Sequence, residues 1–130
     1  MKKLLINILF WLHVILLAAL IIPFFIPVSI WPERITLHFL FLSSILLLQL
    51  IWGAILLPKI RKIDFICPLT TWMQYLRGYP ISSKKNHEHS FMAEFLHDIG
   101  IKISFQGVTI LQTVIFSAAA ILYFARMGGK

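Results

Sequence analysis

Three long apolar runs, separated by one short and one long polar stretch, organise this chain. The first carries no charge from Leu4 to Pro32. It predicts a helix from Leu4 to about Ile22, or to Ile26 at the furthest. Pro23 and Pro27 should end or kink it, because each removes a backbone donor and crowds the preceding turn. Trp31, Pro32, Glu33 and Arg34 form a short connection, with Trp31 suited to anchor at a membrane interface. The second run, Ile35 to Leu57, is also uncharged. At about 1.5 Å per residue it is about 34 Å long, enough to cross a bilayer with some tilt. Pro58, then Lys59, Arg61 and Lys62, mark its expected stop at a basic surface. The third run begins near residue 103 and ends at Phe124. Gln106, Thr109, Thr113 and Ser117 recur down one side of it at helical spacing. Small and weakly polar residues let helices approach closely inside lipid, so this side is expected to face the other two spans.

Between the second and third runs, residues 58–102 follow a different pattern. After Pro68, the positions Leu69, Trp72, Met73 and Leu76 repeat as one helical face, with Thr70, Gln74 and Arg77 opposite and Gly78 as a C-terminal stop. A second short helix is expected to start after Ser90, a good N-cap. Its apolar face is Phe91, Met92, Phe95, Leu96 and Ile99, its polar face Glu94, His97 and Asp98, and Gly100 ends it. Both are too short to cross a membrane and read as surface helices, although 63–76 could instead dip into the bilayer. The expected architecture is therefore an all-α integral membrane protein of one domain, residues 1–130. Its spans lie at about 4–26, 35–57 and 103–124, with two short amphipathic helices in the second loop.

Composition strengthens this reading. Of the 130 residues, 59% are hydrophobic and 13% charged, about half the charge of an ordinary soluble domain. A bilayer can absorb that apolar surface where a protein core of this size cannot. The opening Met1-Lys2-Lys3 and apolar run resemble a signal peptide, but no small-x-small cleavage site follows and the uncharged stretch is too long. It reads as a retained first helix. The net charge of +7 then concerns topology and lipid head groups rather than nucleic acid. With a cytoplasmic N-terminus, nine Lys and Arg fall inside (Lys2, Lys3, Lys59, Arg61, Lys62, Arg77, Lys84, Lys85, Lys102). Three fall outside (Arg34, Arg126, Lys130).

Candidate chemistry is sparse. His13 and His38 lie in apolar spans and need partners there. Haem between them is not expected, because they sit about 14 Å and 29 Å from the inner ends of their spans. Each is expected to hydrogen-bond a neighbouring helix, and His38 shares a face with Gln49. His87, His89, Glu94 and His97 form a polar cluster in which Glu94 and His97 have the spacing of half a di-metal site. No matching half exists, so a metal is only the alternative and no cofactor is predicted. The single Cys67 excludes an intramolecular disulfide and a cysteine-based zinc site. Pro68 after it pre-sets a helix start, which favours a tight, buried helix entry over a reactive thiol.

Several of these residues carry a resemblance. Leu12-His13, Leu37-His38, Trp52-Gly53-Ala54, the motif Cys67-Pro68-Leu69-Thr70 and the aromatic-acidic stretch Phe91 to Leu96 together resemble an uncharacterised bacterial family of small membrane proteins. Its hallmark is Cys-Pro-Leu-Thr after the second hydrophobic helix. Met73-Gln74 stand where that family carries an acidic residue, Lys59 to Lys62 look like an insert, and Ala93-Glu94 replace a Glu-His pair. The resemblance implies a bacterial inner membrane and marks the motif loop as the part of interest, without implying a reaction. The expected role is a non-enzymatic accessory or scaffold subunit, packing with itself or a larger membrane complex. Two alternatives stand beside it. One is a metal- or redox-active protein using Cys67, His87, His89, Glu94 and His97. The other is an oligomeric carrier or channel lined by His38, Gln49, Gln106 and Gln112.

Overall fold

A computed structural model of the chain describes residues 1–129. Lys130, counted above with the basic C-terminal tail, lies outside them. Helix α1 spans Lys2–Ile21 and tightens into a 3-10 turn over Ile22–Phe24 at Pro23. Helix α2 spans Arg34–Ile60. Four shorter or later helices follow: α3 at Pro68–Leu76, α4 at Lys84–His87, α5 at Phe91–Asp98 and α6 at Phe105–Gly128. The protein is an all-α membrane protein in which α1, α2 and α6 are long and apolar enough to span the bilayer.

Local chemistry accounts for the boundaries. Pro68 occupies the first turn of α3, where its missing N–H would be unpaired in any case. The Ser90 and Ser104 hydroxyls accept from Ala93 N and Gly107 N, capping α5 and α6. Gly78 and Gly100 follow α3 and α5 with φ of 98° and 91°, a conformation that costs glycine nothing. Pro58 does not stop α2, contrary to expectation. Proline removes only its own donor, and residues beyond it can still pair: Arg61 N donates to Leu57 O at 2.8 Å before Arg61 turns left-handed.

The three spans do not form an even bundle. Helix α2 packs along α6, with Phe39 stacked on Tyr123 and close to Phe116. At the same end, Arg126 reaches Pro32 O and Glu33. Helix α1 joins α2 there too, through His38 and Leu20, Phe24 and His38, and Arg34 and Pro23. Towards the basic end, the broadest contact of α1 is with α3. At this end the segment that follows α2 lies between α1 and α2.

That segment re-enters the membrane-spanning layer. After Arg61 the chain is extended to Cys67 and runs back along α2, until Ile66 N donates to Gln49 O at 3.3 Å. The lengths agree: twelve helical residues rise about 18 Å, and five extended residues cover about 16 Å. Gly53 makes the close approach possible. A Cβ there would lie 1.9 Å from the Asp64 carbonyl oxygen.

Helix α3 keeps Met73 of its predicted apolar face inside but is rotated so that polar residues join it and Trp72 turns out. Thr70, Thr71, Met73 and Gln74 are buried, while Trp72 and Tyr75 are exposed. In water, Trp72 would be favoured inside over Thr70, Thr71 and Gln74. In lipid, polar side chains must find partners inside the protein, and aromatic ones can face outward.

Candidate functional site

The re-entrant segment carries Cys67 to His13, 54 positions away in the chain. Cys67 Sγ lies 3.6 Å from His13 Nε2, and Thr70 Oγ1 lies 2.9 Å from the same nitrogen. The other ring nitrogen, Nδ1, is 2.7 Å from Leu9 O. A carbonyl can only accept, so Nδ1 carries the proton and donates. In the neutral ring, Nε2 is therefore the bare acceptor, aimed at the Thr70 hydroxyl and the Cys67 thiol. A nucleophile, a base within reach of it and a third group orienting that base form the general arrangement of an activated nucleophile.

The surroundings hold this geometry. Thr71 Oγ1 donates to Cys67 O and accepts from Trp52 Nε1, both at 3.1 Å, tying the start of α3 to α2. Phe91 stacks on the His13 ring with centroids 4.2 Å apart, and Phe10 packs edge-on against Phe91.

From Lys3 to His13, helix α1 rises about 15 Å, and α2 rises the same from Gln49 to Lys59. The thiol therefore lies about 15 Å along both helices from their basic ends. It borders a cleft of about 350 Å³ between α1 on one side and α2 and α6 on the other. Asp64, Asn86, His87, His89 and Ser90 line its basic end. Gln49, Thr109, Gln112 and Thr113 flank its middle. Leu16, Leu17, Leu20, Ile45, Leu46 and Phe116 line its far end. Non-helical backbone at membrane depth is tolerated where it is buried in protein or lines a watered cavity. Asp64 to Cys67 line this cleft.

The other predicted residues are distributed as follows. His38 donates from Nε2 to Leu20 O at 2.9 Å, a bond to a neighbouring helix as expected, but it is remote from Cys67 and does not line the cleft with Gln49. His89 and Arg77 share the Glu94 carboxylate at 2.8 and 2.9 Å. Burial raises the Glu94 pKa, but Arg77 and then His89 bring it below the ordinary carboxylate value. His87 donates to Ile81 O at 3.2 Å, and His97 is exposed beside Asp98. Of the five residues Cys67, His87, His89, Glu94 and His97, Cys67, His87 and His89 border one cleft and His89 holds Glu94, while His97 stands exposed apart from them. Among the described residues no group of three or more His, Cys, Asp and Glu side chains could hold a metal ion.

Span three is also corrected. Gln106, Thr109, Thr113 and Ser117 are exposed, whereas Val108, Leu111, Ile115 and Ala119 turn inward. Thr109 and Thr113 donate to carbonyls of their own helix and border the cleft rather than closing a helix contact. Local backbonding satisfies each hydroxyl without a neighbour. The His13–Cys67 pair was not foreseen, because nothing in the sequence couples positions so far apart. The signals that were present, a histidine inside an apolar span and a cysteine before a helix-starting proline, are each common alone. No protein-family model matches the chain, and neither a curated protein nor a solved structure matches it.

Proposed function

We propose that this membrane protein works through the Cys67 thiol, as a nucleophile activated by His13 within a cleft between its spans. The observation that carries the reading is the 3.6 Å contact of Sγ with a histidine nitrogen whose tautomer is set by Leu9 O. The base removes the thiol proton, and the start of α3 favours the resulting anion. The Cys-Pro-Leu-Thr stretch that carries the family resemblance builds this same site. The test is alkylation of Cys67 by iodoacetamide in mild detergent, followed against pH. Cys67 should react at least several-fold faster near pH 7 than a free thiol, and His13→Gln should remove the advantage. A thiol that stays unreactive, or a rate indifferent to His13→Gln, overturns the reading.

The accessory-subunit role is a second reading, favoured by Gln106 and Ser117 standing exposed on an apolar helix. Unpartnered polar groups facing lipid suit contact with another membrane helix. Cross-linking in membranes tests it, and a protein that remains monomeric with no bound partner counts against it. The lysine and arginine distribution supports an orientation with the N-terminus and the re-entrant segment on the cytoplasmic side of a bacterial inner membrane.

A further inference from the structure

A second cavity, of about 560 Å³, opens between α3, α4 and α5, with Gln74, Arg77, Lys84, Lys85 and Glu94 in its wall. Glu88 also lines it, and its carboxylate lies 3.3 Å from Lys62 Nζ, just past the end of α2. The pocket therefore stands beside the basic end of a membrane-spanning helix, at the level of lipid head groups. Its acidic groups are already held. Arg77 and His89 share Glu94, and Lys62 bridges Glu88 and Asp64. Its lysines are not: among the described residues neither Lys84 nor Lys85 pairs with a carboxylate. Lys85 Nζ stands 5.6 Å from the centroid of the Tyr79 ring, which also lines the pocket, and this contact leaves its N–H groups free. Arg77 bonds Glu94 through Nη1 alone, so the rest of its fork is available. Gln74 points to a ligand independently of charge. It is 2% exposed and lines the pocket, yet its side-chain amide makes no hydrogen bond among the described residues. Unlike Asn86 Oδ1, that amide is not sealed away from the open space beside it. A buried amide without a protein partner costs free energy until a ligand pairs with it.

From this we infer that the pocket binds a phosphate monoester. The two unpaired ammonium groups of Lys84 and Lys85 match its charge of about −2 at neutral pH. Its several oxygens accept at once from the Gln74 amide, the free part of the Arg77 fork and the lysines. A carboxylate offers fewer acceptor oxygens and a single charge, which leaves one lysine without a counter-charge. The phosphate belongs either to a lipid head group or to a soluble molecule, and both present the same chemistry to these side chains. The inference is independent of the thiol reading, since Gln74 lies about 10 Å along α3 from Cys67.

The probes are inorganic phosphate and dioleoyl phosphatidic acid, which carry the group free and on a lipid, with oleate as the carboxylate comparison. Binding to the full chain in an uncharged detergent is read by native mass spectrometry for the lipids and as a saturable rise in melting temperature for phosphate. At least one of the two phosphates should bind, with one equivalent at saturation and several-fold in preference to oleate. Phosphatidic acid alone assigns the source to the bilayer, and inorganic phosphate alone assigns it to a soluble ligand. Lys84→Gln together with Lys85→Gln, both exposed, should weaken binding at least about tenfold. Lys2→Gln together with Lys3→Gln removes the same charge outside the pocket wall and should change binding by less than about twofold. Gln74→Leu removes no charge, so a general attraction to a basic surface would not register it, yet it should weaken binding several-fold. Binding of neither phosphate, oleate bound equally well, equal losses from the two lysine pairs, or full binding by a folded Gln74→Leu chain overturns the inference. If Gln74→Leu does not fold, the lysine pairs decide it.

Discussion

Gly53→Ala tests the re-entrant segment at its narrowest point. In most exposed helix positions this change is favourable, because alanine gains about 1 kcal/mol of helix propensity over glycine. Here the new Cβ would lie 1.9 Å from the Asp64 carbonyl oxygen and 3.1 Å from its carbon. Both are backbone atoms and cannot rotate away. Restoring a contact of even 3.0 Å requires the extended segment to retreat by about 1.1 Å. Ile66 N already sits 3.3 Å from Gln49 O, so a retreat of that size breaks the bond that ends the segment. Overpacking of this kind costs about 1–3 kcal/mol, and the lost hydrogen bond about 1 kcal/mol more. Set against the propensity gain, Gly53→Ala should destabilise the protein by about 1–3 kcal/mol. The segment leads directly to Cys67, so the pairing with His13 should loosen as well. Thermal unfolding in mild detergent and the alkylation rate of Cys67 measure the two effects. Gly128→Ala is the control, since a Cβ there meets nothing within 4 Å, and it should be neutral or slightly stabilising. If Gly53→Ala matches that control in both stability and thiol reactivity, the segment does not pass against α2 as described.

Three further outcomes follow from the geometry. Trp52→Phe removes the donor to Thr71 Oγ1 and should cost about 1 kcal/mol in thermal unfolding, with faster alkylation of Cys67 if the start of α3 loosens. Glu94 has a depressed pKa in the folded chain, so the unfolded state binds its proton first on acidification. Its contribution is complete above the unfolded value of about 4.3 and is lost as the pH falls through the lower folded value. Glu94→Gln should therefore flatten the acid limb of a melting-temperature profile below about pH 5. The effect should be no more than about 1 kcal/mol, because the group is partly exposed. His38→Leu removes a bond between α2 and α1 that does not touch the thiol site. It should lower stability by about 1 kcal/mol while leaving the alkylation rate of Cys67 within twofold.

Much of the architecture is legible in the sequence because it is set locally. A span needs only an uninterrupted apolar run of sufficient length, and the three runs became α1, α2 and α6. Helix ends depend on a few adjacent residues. Pro23, Pro68, Ser90, Gly78 and Gly100 each act within one turn of their own position, and each did so. Pro58 misled for the same local reason: proline costs its own bond and leaves later donors free.

Only the tertiary structure decided which faces meet. The pattern of α3 predicts a helix lying on the membrane surface, with Leu69, Trp72, Met73 and Leu76 as its apolar face and Thr70, Gln74 and Arg77 opposite. With lipid outside, Thr70, Thr71 and Gln74 turned inward and Trp72 turned outward. The row of Gln106, Thr109 and Thr113 fits the same spacing rule, yet it lies away from the α2 contact, because short-range bonds within α6 already satisfy its threonines. The site itself depends on a distance no pattern encodes. The sequence determined that this chain has three helices long and apolar enough to span a membrane, the last two joined by a basic loop. That the loop folds back over Gly53 and sets Cys67 against His13 is a consequence of close packing between segments remote in the chain, where an approach of an ångström or two decides the arrangement.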